Sequence, residues 1–138
     1  MQTALTLDTL LSLLLAVALG AIVGIERERT HKPAGLRTHM LVSLGACLFT
    51  VVSIGFSFDP ARIAAGIVAG IGFIGAGTIW AEKDKVQGIT TAASLWATAA
   101  IGLTTGIGDY PLAAVVTALV VIILASNYLL RITGVEKD

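Results

Sequence analysis

The chain has 138 residues, of which 56% are hydrophobic and 13% are charged. Soluble domains carry about 25% charged residues, so this composition excludes a soluble globule and predicts an integral membrane protein with a lipid bilayer as its solvent. The formal net charge of zero gives no indication of nucleic-acid binding, and the single cysteine, Cys47, excludes an intramolecular disulfide. We expect one domain over residues 1–138.

Five apolar stretches predict an all-α bundle of five transmembrane helices, because about 20 apolar residues in a helix cross a hydrocarbon core. Thr38 is expected to cap the second helix and Asp59 the third, where Pro60 suits the first helical position. A polar turn is expected between helices three and four. The predicted helices cover roughly residues 7–25, 40–56, 60–80, 90–105 and 111–131.

Basic residues are concentrated in the connection between the first two helices. That connection holds four of the nine, and cytoplasmic connections collect Lys and Arg. If this connection is cytoplasmic and the others alternate sides, Arg62 is the only basic residue predicted outside. The amino terminus is then predicted outside and the carboxyl terminus in the cytoplasm. The basic residues then predicted inside are Arg27, Arg29, Lys32, Arg37, Lys83, Lys85, Arg131 and Lys137.

Glycines indicate where helices approach closely, because small residues permit tight packing in lipid. On helix three, Gly66, Gly70 and Gly77 fall within about 40° of one another, and Gly72 and Gly75 lie on the opposite side. This pattern predicts that helix three lies in the middle of the bundle, with neighbours on both sides. Helix five, bulky around most of its circumference, is predicted to be the most lipid-exposed. The predicted packing glycines are Gly20, Gly24, Gly66, Gly70, Gly72, Gly75 and Gly77.

The charged connection after Ile25 has two interpretations. It can be a solvated helix end stabilised by Glu28–Lys32 and Glu26–Arg29 pairs. Alternatively it is a functional hinge in which Glu26 and Arg37 lie at the mouth of the bundle and dock against helices three and four. The two histidines, at 31 and 39, are interpreted as surface or capping residues. The hinge residues are Glu26, Arg27, Gly35 and Arg37.

The outer end of helix three offers a second candidate site. Asp59 and Arg62, three residues apart, predict a helix cap with an ion pair. The alternative is that Asp59 and Asp109 recognise an extracytoplasmic Mg²⁺, which prefers oxygen ligands. Glu26 is a third candidate ligand for the metal. No other cofactor is expected.

The middle of each predicted helix lacks an ionisable side chain, which counts against an ion-coupled transporter. The sequence shows no nucleophile with a neighbouring base and no carboxylate pair in a cleft, so we expect no enzymatic activity. The hydroxyl groups of helix four are interpreted as interhelical hydrogen-bond partners. These residues are Thr90, Thr91, Ser94, Thr98, Thr104 and Thr105.

Three blocks together resemble the MgtC/SapB family of bacterial inner-membrane proteins: GAIVGIERERTHKPAGLRTHMLVSLGA, DPARIAAGIVAGIGFIGAGTIW and VQGITTAASLWATAAIG. The resemblance covers nearly the whole chain and implies a five-helix domain with a cytoplasmic carboxyl end. Several virulence-associated members have a soluble domain after helix five, which we do not expect here. Where such members carry Asn and Cys in the helix-four block, Thr90 and Ala97 stand in this sequence.

The resemblance also implies a function. Family members are associated with growth at low Mg²⁺ and survival in macrophages, and some restrain the membrane sector of ATP synthase. We therefore expect a regulator in Mg²⁺ homeostasis that acts by helix contact, either as a homo-oligomer, with a dimer favoured, or on a complex such as ATP synthase. The alternative is a small oligomeric channel or transporter for Mg²⁺ or another ion.

Overall fold

A computed structural model describes residues 6–55, 59–82 and 85–132, with the side chains of residue 60 and residues 127–132 outside the description. The prediction of five helices is confirmed, and a short β-hairpin is added between the third and the fourth. The predictions for Lys83, Arg131 and Lys137 fall on side chains outside this description. The elements are α1 (Leu7–Arg29), α2 (Leu36–Gly55), α3 (Pro60–Ala76), β1 (Trp80–Glu82), β2 (Lys85–Gln87), α4 (Ile89–Gly106) and α5 (Tyr110–Ile132).

The start of α2 differs from the prediction. The helix begins at Leu36, so Thr38 lies inside it and is not its N-cap. The backbone N–H of Leu36 donates to Glu28 Oε2 at 2.9 Å. The first N–H groups of a helix lack acceptors within the helix. The carboxylate of Glu28, from the preceding helix, is the acceptor for one of these groups. The cap therefore comes from a residue eight positions earlier, which local sequence signals do not reveal.

The end of α3 and the connection to α4 also differ from the prediction. The helix ends at Ala76, and Trp80 belongs to β1. The expected polar turn is an antiparallel hairpin that pairs Trp80 with Gln87 and Glu82 with Lys85. Gly77 and Gly75 weaken the helix here because glycine costs about 1 kcal/mol relative to alanine in a helix.

The centre of the bundle is α4, which packs against each of the other four helices. The prediction that helix three lies in the middle is wrong: from residue 61 to residue 76, only Ile71 and Gly75 are buried. The prediction that α5 is the most exposed helix is also wrong, since α5 buries Ala113, Thr117 and Leu124. Glycines allow close approach, but on α3 they alternate with bulky side chains that point outward.

Two helices, Leu7–Arg29 and Leu36–Gly55, are long and apolar enough to cross a membrane by length and composition. Large apolar side chains also cover the outside of the bundle: Phe73 is 86% exposed and Leu41 is 68% exposed. Water would disfavour such a surface by roughly 25 cal/mol per Å². These features are those of a membrane protein.

Candidate functional site: a buried polar seam and its charged end

Two polar faces meet where α2 packs on α4. At about 100° per residue, the four residues contributed by α2 fall within about 80°, and the four contributed by α4 within about 60°. All eight are buried. We call this set the polar seam. It comprises His39, Ser43, Thr50 and Ser53 of α2 and Thr91, Ser94, Thr98 and Thr105 of α4.

Glycines bring the backbones along the seam into contact. A Cβ built at Gly102 would lie 2.1 Å from the carbonyl oxygen of Ser43, and one built at Gly106 would lie 2.7 Å from Thr50 Cβ. Neither position leaves room for a methyl group or for water. Both glycines lie in a stretch of helix four that is rich in small residues, but the predicted set of packing glycines does not include them.

The predicted glycines of α1 lie against α2. A Cβ at Gly20 would meet the His39 carbonyl oxygen at 2.7 Å, and one at Gly24 would meet Leu36 Cα at 2.7 Å. The α1 backbone therefore rests directly on the first half of α2. Together with the α2–α4 contact, this packing encloses His39 on both sides.

His39 is the centre of the seam's hydrogen bonding. Its side chain is fully buried, so its interpretation as a surface or capping residue is wrong. Nδ1 donates to the carbonyl oxygen of Gly35 at 2.9 Å, and Nε2 is hydrogen-bonded to Ser94 Oγ at 3.1 Å. His31, by contrast, is exposed. The histidine at 39 thus ties the start of α2 to α4.

The other hydroxyls of α4 bond mainly within their own helix. Thr98 Oγ1 donates to the Ser94 carbonyl oxygen at 2.8 Å, and Thr105 Oγ1 to that of Ile101 at 2.8 Å. Thr104 does the same with Ala100 at 2.9 Å. The expected interhelical role is therefore wrong for these three threonines, and Ser94 fills it. Ser43 Oγ and Ser53 Oγ, both buried, have no partner among the described residues.

Arg27 closes the seam at the end where α1 stops. Its side chain is 1% exposed, and it pairs with Glu26. That is the one ion pair among the side chains described in residues 6–55, 59–82 and 85–126, so the predicted Glu26–Arg29 and Glu28–Lys32 pairs are absent there. Arg27 Nη1 is buried without a partner in the same part of the chain. A buried guanidinium beside one carboxylate is held mainly by that carboxylate.

The remaining hinge residues separate into two places. A Cβ at Gly35 would lie on the carboxylate of Glu28, so glycine is what lets Glu28 reach the start of α2. Arg37 is exposed in the first turn of α2. The structure thus brings Glu26, Arg27 and Gly35 to one end of the bundle, and the expected docking of Arg37 against helices three and four is wrong.

The outer candidates do not form the predicted cap and pair. Asp59 makes no side-chain cap and no ion pair with Arg62, because its φ of 12° and ψ of 80° are not those of a capping residue. Asp109 instead caps α5, accepting from the Leu112 N–H at 3.1 Å. The described residues contain no group of three or more His, Cys, Asp or Glu side chains placed to hold a metal ion.

Three glycines of α3 face open space. A Cβ built at Gly66, Gly70 or Gly72 meets nothing within 4 Å, whereas one at Gly75 would touch Ala92 Cβ at 3.4 Å. Gly77 is the C-cap of the helix. Beside Gly66 and Gly70, α2 and α3 enclose an open apolar cavity of about 690 Å³.

The family is decided by a sequence comparison. The model of the MgtC family matches residues 13–131. The chain belongs to the MgtC family. Among MgtC proteins, Protein MgtC of Salmonella typhimurium strain LT2 is 49% identical over 123 residues, which is 88% of this chain and 52% of that protein. Protein MgtC of Brucella abortus is 50% identical over 118 residues, which is 84% of this chain and 48% of that protein.

A further relative of this MgtC family chain is the protein named "Putative magnesium transporter YhiD" of Escherichia coli K12. It is 49% identical over 110 residues, which is 72% of this chain and 51% of that protein. The chain thus spans about half the length of the curated MgtC relatives it matches. No solved structure matches it.

The hydrogen bond between His39 and Ser94 gives a first prediction. Replacing Ser94 by alanine is expected to lower the free energy of unfolding by about 1 kcal/mol, because the hydrogen bond from α4 to His39 of α2 is lost. Thr104→Ala is the matched control, since that hydroxyl is partly exposed and bonds its own helix. Thermal unfolding in detergent measures both variants. Equal midpoints for the two would contradict the assigned role of Ser94.

Proposed function

We propose that this MgtC family member is a non-enzymatic protein of the bacterial inner membrane that supports Mg²⁺ homeostasis and growth at low Mg²⁺. It acts by helix-to-helix contact, with itself or with a larger membrane complex. All five helices cross the bilayer, with the amino terminus outside and the carboxyl terminus in the cytoplasm. Arg27, Arg29 and Lys32 at one end of the bundle and Arg62 at the other support this orientation.

The observation that carries the proposal is the contrast between a closed interior and open outer faces. Gly102 and Gly106 bring α2 and α4 into backbone contact along the seam, so one subunit has no room there for a hydrated ion. The apolar groove beside α3 is open. Lipid or another helix must fill it to exclude solvent. A protein so built presents surfaces for contact and has little internal space for transport.

A large membrane complex is a suitable partner for such surfaces. ATP synthase, implied by the family resemblance, has helices buried in the same membrane. Contact would depend on van der Waals packing and interhelical hydrogen bonds, since lipid offers no hydrophobic driving force between helices. The exposed faces of α3 and α5 are the proposed contact surfaces.

A second candidate function is transport of Mg²⁺, which the name of the Escherichia coli relative favours. Mg²⁺ requires near-octahedral oxygen coordination at about 2.0–2.1 Å and loses its waters reluctantly. A path for it would lie between subunits of an oligomer. Asp59 and Asp109, both exposed at one end of the bundle, would then be at the entrance.

Two assays distinguish these functions. Purified protein in liposomes with an enclosed Mg²⁺ indicator is expected to give no influx above protein-free liposomes. The same protein, expressed in a strain lacking its own copy, is expected to restore growth at low Mg²⁺ and to copurify with a stable membrane partner or as an oligomer. Influx that scales with protein content and falls in Asp59→Asn/Asp109→Asn would overturn the contact function and support transport.

A further inference from the structure

The groove between α2 and α3 is an open apolar cavity of about 690 Å³. Its rim carries Leu41 and Phe49, 68% and 62% exposed, and its floor carries Gly45, Gly66 and Gly70. At each of these glycines a Cβ would meet nothing within 4 Å. The groove is therefore wide enough at its floor to receive large side chains from a neighbouring helix.

One end of the groove is basic. Arg62 lines it there and is exposed. Within residues 6–55, 59–82 and 85–132, no carboxylate lies at ion-pair distance from Arg62, since Asp59 does not pair with it. An occupant with a carboxylate at this level would supply the missing partner.

The exposed face of α5 has the complementary shape. Leu112, Val115, Leu119 and Ile122 fall within about 80° of one another, and each is about half exposed or more, from 48% at Leu112 to 64% at Ile122. The spacing of three, four and three residues is that of knobs that insert between small residues of a facing helix. All four side chains are exposed in the subunit.

The ends of α3 and α5 lie at the same level of the bundle. The hairpin joins the end of α3 to the start of α4, and a short turn joins the end of α4 to the start of α5, so α3 and α5 run in the same direction. Asp109 immediately precedes α5 and is exposed, as Arg62 is near the start of α3. Laying α5 of one subunit along α3 of another would place this carboxylate beside this guanidinium.

We propose that the α2–α3 groove is the docking site for α5 of a second copy of this chain, with Asp109 of one subunit pairing with Arg62 of the other. The inference rests on the proposed function and specifies the surfaces through which self-contact occurs. Leu112 and Val115 enter at the level of Gly66, and Leu119 at the level of Gly70. Because the two surfaces differ, the contact is heterologous.

Disulfide cross-linking between two tagged copies tests the assignment. In a Cys47→Ala background, one copy carries Ile63→Cys, in the groove, and the other carries Leu112→Cys, on α5. Coexpression is expected to give a heterodimeric cross-link, at least tenfold stronger than that of either single-cysteine protein with itself. Strong cross-linking of Leu112→Cys with itself would show α5–α5 packing and overturn the proposal.

Filling the groove provides the second test. Gly70→Leu is expected to leave the thermal unfolding of the subunit unchanged, because the site is open, while cross-linking falls at least tenfold. Gly72→Leu, also open but outside the groove, is the matched control and is expected to retain cross-linking. Arg62→Glu in the copy that carries Ile63→Cys should lower the yield, and Asp109→Lys in the copy that carries Leu112→Cys should restore part of it.

The mass of the purified protein in mild detergent separates failure of this inference from failure of the proposed function. An oligomer that shows no cross-link between positions 63 and 112 means that the subunits associate through another surface. In that case the α5 assignment is wrong while self-contact remains. A monomer that also has no copurifying partner contradicts both, and acyl chains then occupy the groove.

Discussion

Gly102→Ala is expected to lower the free energy of unfolding by about 3 kcal/mol, although it adds a single methyl group. The new Cβ would lie 2.1 Å from the carbonyl oxygen of Ser43, and backbone cannot move aside as a flexible side chain can. The two helices must separate, which also weakens the neighbouring contact between Gly106 and Thr50. The expected result is a large fall in the thermal midpoint in detergent.

Cys47 provides the measurement for this variant. It is the chain's one cysteine and is fully buried, so a thiol-reactive dye reports unfolding as the side chain becomes accessible. Gly72→Ala is the control, because a Cβ there meets nothing within 4 Å and alanine favours the helix by up to about 1 kcal/mol. Equal dye-labelling midpoints for Gly102→Ala and Gly72→Ala would show that the close approach of α2 and α4 is incorrect.

Glu26→Ala is expected to destabilise the protein by about 3–5 kcal/mol, because it leaves the Arg27 guanidinium buried without its carboxylate. Arg27 is 1% exposed, and its Nη1 has no partner within the described residues. Removing the cation as well, in Glu26→Ala/Arg27→Met, should recover most of the loss, since methionine suits an apolar site of similar length. The same labelling of Cys47 measures both.

Arg29→Met tests the specificity of this effect. Arg29 is exposed at the end of α1, so its loss should change the free energy of unfolding by less than about 0.5 kcal/mol. A double-mutant cycle over Glu26 and Arg27 gives their coupling directly. If Glu26→Ala and Arg29→Met have the same small effect, or if the double variant is no better than Glu26→Ala, the pair is not buried as described.

The existence of the helices could be predicted from the sequence, whereas their arrangement could not. Long apolar stretches and the charges between them are local signals, and they located all five helices within a few residues at most ends. The position of α4 at the centre depends on which faces meet, and Gly102 makes its contact with a residue 59 positions earlier, Ser43. The open glycines of α3 carry the same local signal as the buried glycines of α1.

The candidate site shows the same limit. Glu26, Arg27 and Gly35 were predicted as a hinge from charge and turn chemistry, and the structure places them at one end of the bundle. The role of His39 was missed because its partner, Ser94, is 55 residues away. Its spacing from Ser43, Thr50 and Ser53 on one face of α2 is a signal that could have found it, since four polar residues on one stripe of an apolar helix indicate burial against a neighbour.

The central place of α4 has a consequence for biosynthesis. When α1 and α2 have left the ribosome, they can pair with each other, but the side chains of His39 and Ser43 still face hydrocarbon or the insertion machinery. Those groups meet their neighbours on α4 when that helix has been synthesised, 50 or so residues later. A nascent protein interrupted before that point leaves His39 Nε2 without its hydrogen-bond partner, at a cost of about 1–3 kcal/mol.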